Sequence, residues 1–175
     1  MADNITATAT VESDINFTLI KIGSNTQNES ASLNYSESFV DGTISGSNQI
    51  NYGVILSGSL TANERTYLDM QALTKEAFDI NTSVQFSTIR SMIVENRVQV
   101  SGGGDIGIAA SGVSTGLFGL FNGGTGMMRI KPRGTYIYSD VLDGLPVTAT
   151  ARQVILNDMD GSGAGYRVVV VGVTG

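Results

Sequence analysis

The sequence predicts an all-β fold, a jelly-roll-like β-sandwich carrying an extended N-terminal arm. Three observations point there. Apolar residues recur with a period of two rather than 3.6. Gly, Asn and Asp turn signals interrupt that pattern every eight to twelve residues or so, the spacing of short paired strands. Glycine accounts for 22 of 175 residues, nearly twice the usual share of about 7%.

The arm comes first. Ile5, Ala7, Ala9 and Val11 alternate with threonines, and Phe17 and Leu19 alternate against Ile20 and Ile22. Residues 23–32 (GSNTQNESAS) hold almost nothing apolar and read as a polar linker. The expected division is therefore an arm with its linker over 1–32 and a sandwich domain over 33–175.

Within that domain the strands are expected over 33–40, 49–56, 59–68, 83–89, 91–96, 98–101, 105–110, 116–121, 127–131, 135–138, 147–150, 153–157 and 166–173. The turns between them include Asp41-Gly42, Gly102-Gly103-Gly104, Asn122-Gly123-Gly124, Pro132-Arg133-Gly134, Asp143-Gly144 and Asp160-Gly161. These residue types tolerate the positive φ of tight turns. Residues 68–78 (LDMQALTKEAF) alone have helical composition, which predicts a turn or two of helix at a sheet corner. Ile93, Val94, Val98 and Val100, with the run 168–171, read as interior strands buried on both faces.

Composition narrows the chemistry. There is no Cys, hence no disulfide, thiol nucleophile or Cys-ligated metal. There is no His, so Ser–His and Cys–His catalysis are excluded. No enzyme activity and no cofactor are expected. Charged residues are 15% of the chain, against roughly 25% in an average domain. Net charge is −6, which opposes nucleic-acid binding, where Lys and Arg must neutralise phosphates. Residues 1–60 carry six acids and one base, so the N-terminal third is the acidic part. The N-terminus lacks the basic and apolar regions of a secretory signal. No apolar run approaches the ~18 residues of a membrane-spanning helix, so no membrane partner is expected.

Three constellations merit weighing. Asn157-Asp158-Met159-Asp160-Gly161 offers hard oxygen ligands but lacks the bidentate Glu of an EF-hand loop, and reads as a hairpin loop. Gly102-Gly103-Gly104 lacks the lysine and helix of a phosphate loop and reads as a turn. Arg129, Lys131 and Arg133 alternate, which on one strand sets all three on one face. That stripe is either a solvated edge or a dock for an acidic surface. With it, Ile5, Val11, Phe17 and Leu19 of the arm are the candidate protein-interface residues. An extended arm can add itself to a neighbour's sheet edge.

The series Leu33-Asn34-Tyr35-Ser36-Glu37-Ser38, Leu68-Asp69-Met70 with Leu73, Phe86, Ile89, and Ile93-Val94-Glu95-Asn96 continues through Ile130-Lys131-Pro132-Arg133-Gly134 to Tyr166-Arg167-Val168-Val169-Val170-Val171-Gly172. Over about residues 33–174 this order resembles small virion structural proteins of tailed bacteriophages, of the capsid cement or decoration kind. What it shares with them is diffuse hydrophobic patterning. The resemblance implies a dimer or trimer on the capsid surface, assembled in the host cytoplasm, that binds the major capsid protein and braces the shell. Residues 1–32 and 101–126 are longer than the family pattern. A tail, fibre or head–tail connection protein is therefore the second expectation. A carbohydrate-binding or adhesin sandwich is the third, and would need a stacking cluster built from the six Tyr, since Trp is absent.

Overall fold

A computed structural model describes residues 9–21, 27–41, 49–77, 80–99, 103–109, 127–140 and 142–174. Among these every regular element is a strand. The expectations for Ile5, for a strand over 116–121 and for the turn at 122–124 lie outside the described residues.

Strand β1 (Ala9–Lys21) pairs antiparallel along its whole length with β2 (Gln27–Asp41), from Ala9 opposite Phe39 to Lys21 opposite Gln27. The linker expected over 23–32 is thus strand from Gln27 onward. The polar Ser, Asn and Glu there have backbone partners in β1, and a hairpin ladder needs no apolar side chain to close. β2 continues in parallel with the short β3 (Gln49–Ile50). β3 joins the body of the molecule, where the Asn51 amide donates to the Gly172 carbonyl and the Asn51 side chain exchanges two hydrogen bonds with Thr174.

The remaining strands are β4 (Tyr52–Leu60), β5 (Arg65–Asp69), β6 (Leu73–Ala77), β7 (Ile80–Val84), β8 (Phe86–Asn96) and β9 (Ile106–Ala109), followed by β10 (Met127–Ile130), β11 (Thr135–Ser139), β12 (Leu145–Pro146), β13 (Gln153–Asp158) and β14 (Ala164–Thr174). One sheet has the order β11-β8-β14-β4, with β12 also on β8. The other has the order β10-β9-β13-β5. All their pairings are antiparallel. Counting the eight main strands along the chain, the first sheet runs first, eighth, third, sixth, and the second runs second, seventh, fourth, fifth. That interleaving is the jelly-roll order, in which successive strands alternate between sheets except for the fourth and fifth, β9 and β10, which form a pair in the second sheet.

One core lies between the sheets. Val54, Met92, Val94, Val168 and Val170 enter it from the first sheet, and Leu68, Ile106, Ile108, Ile130, Val154 and Leu156 from the second. Period-two patterning does the sorting, because successive side chains on a strand face opposite ways.

Several expectations need correcting. Of the helix expected over 68–78, the described residues 68–77 hold none: β5 ends at Asp69, and β6 pairs with β7, Leu73 opposite Val84. Both of those residues are buried in the core, and burying them outweighs the helix propensity of Ala, Lys and Glu, which is small per residue and readily overridden by tertiary packing. The strand expected over 59–68 breaks at 61–64, where the Glu64 carboxylate accepts from the Thr61 amide and hydroxyl. Of the strand expected over 98–101, the described residues 98–99 form none and 100–101 lie outside the described residues; residues 147–150 form no strand either, with only an isolated bridge joining Thr148 to Ala151. Ile93 and Val169 are not buried on both sides. They face outward, half-buried, while Val94, Val168 and Val170 face in.

Candidate functional site

Four inter-sheet connections meet at one end of the sandwich. They are 61–64, the connection from β8 to β9 (described at 97–99 and 103–105), 131–134 and 159–163, and the registers fix their company: Ala164 is opposite Leu60, Tyr166 opposite Asn96, and Asp158 opposite Ile106. The loop at 159–163 is therefore not a hairpin. It carries the chain from β13 in one sheet to β14 in the other.

Asn96, fully buried, staples two of these loops. Its Nδ2 donates to the carbonyls of Gly104 (2.8 Å) and Ile130 (3.1 Å), and its Oδ1 accepts from the Val98 amide (3.1 Å). Asp105 organises the next layer. Its amide donates to Asp160 Oδ2 at 3.1 Å and its carbonyl accepts from the Met159 amide. Its buried Oδ2 receives Lys131 Nζ at 2.8 Å and Arg129 Nε at 3.0 Å. Two cations thus share one carboxylate. Asp160 is held below the usual carboxylate range, chiefly by the Ser162 amide and further by the Asp105 amide.

Of the three expected basic residues, only Arg129 is on strand β10. Lys131 follows it, and both reach Asp105. Arg133 sits in the turn at φ 64°, with its amide donating to the Asn96 carbonyl at 3.1 Å. The alternation along one strand fails after Ile130 because Pro132 and the Lys131–Gly134 turn end the ladder. The three cations nevertheless gather at the same end of the molecule.

The register adds residues that the sequence did not disclose. Arg129 is opposite Gly107, Gly107 opposite Asn157, and Asn157 opposite Arg65. Arg65 and Arg129 therefore end one cross-strand row on the outer face of the second sheet. The neighbouring row is Tyr67, Ile155, Ala109 and Met127, with Tyr67 and Met127 exposed at its ends. Only the ends of these rows are exposed: Ile155, Ala109 and Asn157 between them are buried, so the face offers Tyr67 and Met127 beside the cations rather than a continuous apolar band. Its one sequence signal was the alternation Arg65-Thr66-Tyr67-Leu68; the partnership with β10 is visible only in the folded register.

In the arm, Val11 is opposite Glu37, Phe17 opposite Ala31 and Leu19 opposite Glu29. β1 is the edge of its sheet, so its far side carries no strand among the described residues. Also among the described residues, no group of three or more Asp or Glu side chains is placed to hold a metal ion, and Tyr67 is the only tyrosine among the exposed large apolar side chains. No family model matches this chain, and no curated protein matches it in sequence.

Proposed function

We propose that the chain is a non-enzymatic structural protein of a tailed-phage particle, a cement or decoration subunit that docks on the major capsid protein. The observation that supports this most is the outer face of the β10-β9-β13-β5 sheet. It sets an apolar row ended by Tyr67 and Met127 beside a row ended by Arg65 and Arg129, with Lys131 and Arg133 just beyond. The centre of that face, Ile155 and Ala109, is already buried, so the contact would be made by the exposed Tyr67 and Met127 and the cations around them, which suits an acidic protein surface and lets charge choose partner and orientation. The β1–β2 hairpin offers a second grip, since the free edge of β1 can add to a neighbouring sheet. Two modest contacts repeated over many copies hold well through avidity.

The test is quantitative mass spectrometry of purified particles of the phage that encodes the chain. A ratio near one to one with the major capsid protein is expected. The double variant Arg65→Glu, Arg133→Glu should leave the particle while remaining folded. Complete absence from particles rejects the reading, and a few copies per particle transfers the chain to the connector or tail.

A further inference from the structure

The outer face of the other sheet is built differently. Across β4, β14, β8 and β11 the registers align Ile55, Val169, Ile93 and Ile137 in one unbroken row. All four point away from the core, and Ile55 and Ile137 are 50% and 38% exposed. The adjacent row is Ser57, Arg167, Glu95 and Thr135. A shallow hollow of about 280 Å³ lies between the two rows, lined by Ile93, Val169, Glu95, Arg167 and Thr135. Among the described residues neither Arg167 nor Glu95 forms a salt bridge.

We infer that this face binds a second copy of the chain, sheet against sheet, about a two-fold axis running along the strands between β14 and β8. Such an axis reverses the strand order and keeps each row level. Ile55 then faces Ile137 of the other copy, Val169 faces Ile93, and Arg167 faces Glu95, twice over. An isologous contact must be self-complementary, and this face is, in both its apolar and its charged row. A two-fold axis across the strands does worse: it sets Arg167 over Arg167, or over Val171. The second sheet fails the same test. There the lengthwise axis sets Arg65 over Arg129, cation on cation. So one face fits a copy of itself and the opposite face fits an acidic stranger.

Size sets the strength. Four strands at about 4.8 Å spacing, overlapping for some nine residues, give roughly 500 Å² per copy. Specific interfaces bury about 800 Å² per partner. The dimer should therefore be a micromolar, concentration-dependent equilibrium rather than a permanent assembly. It does not rest on the particle reading, because both copies keep their basic faces outward.

Sedimentation of the full chain across the micromolar range, with melts of every variant to confirm folding, tests it. Wild type should shift from monomer to dimer. Arg167→Glu and Glu95→Arg should each weaken the dimer roughly tenfold or more, and Ile55→Asp should abolish it. The double variant Arg167→Glu, Glu95→Arg should restore it, because the swap re-creates both cross-copy pairs. A monomer at every concentration overturns the proposal and leaves the face to the chain's own hairpin or to another protein. A dimer that both single reversals leave intact overturns it too, by placing the contact elsewhere.

Discussion

The Asn96 side chain donates to the Gly104 carbonyl at 2.8 Å, tying the end of β8 to the last residues before β9. The same amide nitrogen reaches the Ile130 carbonyl, and its oxygen holds the Val98 amide. One fully buried carboxamide therefore fixes the loops that carry Asp105, Lys131 and Arg133.

Asn96→Ala leaves those backbone groups without a partner, each costing about 1–3 kcal/mol when buried. The expected loss is about 3 kcal/mol in urea unfolding. Asn96→Asp separates volume from hydrogen bonding: it is nearly isosteric but cannot donate to two carbonyls, so it should cost at least as much as Ala.

Asp105→Asn should cost less. Truncating one partner of a fully buried ion pair typically costs about 3–5 kcal/mol, because the other charge is stranded. Here the Arg129 and Lys131 side chains are 49% and 71% exposed, so both can turn to water once released. About 1–2 kcal/mol is expected, read from the urea midpoint at constant slope. Lys131→Ala alone should cost under about 1 kcal/mol.

How much of this was legible in the sequence follows from what alternation can encode. Period two marks which residues share a face, so β4, β8, β13 and β14 and their inward valines could be placed from sequence. Alternation is silent on which strand lies beside which. Arg65 and Arg129 are far apart in sequence, and only the pairing of β13 with both β5 and β9 sets them in one row. The valine run at 168–171 misled for a related reason. Four consecutive apolar residues fit a strand buried on both faces, whereas Val169 here belongs to an outer row. The helix expected near Leu73 failed because propensity was weighed without Val84, its core partner across the hairpin. Hairpin β1–β2 was half visible: β1 was expected to be extended, but its partner over 27–32 is too polar to announce itself as strand.

Deleting residues 2–41 should leave a folded sandwich. The two large sheets draw their strands from Tyr52 onward, and β1 and β2 pair with none of them among the described residues. The deletion variant should keep a cooperative melt within a few degrees of the full chain, while losing particle binding. A collapse of the melt would show that the hairpin is part of the folding unit.

Gly104 and Gly161 make a contrasting pair. A Cβ on Gly104 would lie 1.9 Å from the Gly163 carbonyl oxygen, a backbone atom that cannot swing aside. Gly104→Ala should therefore cost more than about 2 kcal/mol through overpacking. Gly161 has ordinary space around it but a φ of +77°. Gly161→Ala should cost only about 1 kcal/mol, the penalty of left-handed backbone. Thermal denaturation of the two variants side by side checks both size and order.

Acid should destabilise the fold through Asp140. Burial alone would push its carboxyl up, but the amides of Asp143, Leu142 and Gly144, with the nearby Arg90 guanidinium, outweigh that and hold it below the usual range. The Leu142 and Asp143 amides each donate to Oδ1 at 3.1 Å. A folded pKa below the unfolded one means the stabilisation is complete above the unfolded value, about 3.9, and is lost as pH falls through the folded value. The melting temperature should hold from neutrality to about pH 5 and fall below about pH 4. Asp140→Asn should melt below wild type at pH 7, with the gap narrowing toward pH 3 as the wild-type carboxylate takes up its proton. Equal gaps at both pH values would mean that Asp140 contributes shape and hydrogen bonding rather than charge. At the alkaline end Tyr138 acts in the opposite sense: burial, with Asp140 beside it, pushes its hydroxyl up to about 12, so stability is complete below the unfolded phenol value of about 10 and should fall as pH rises from there through the folded value.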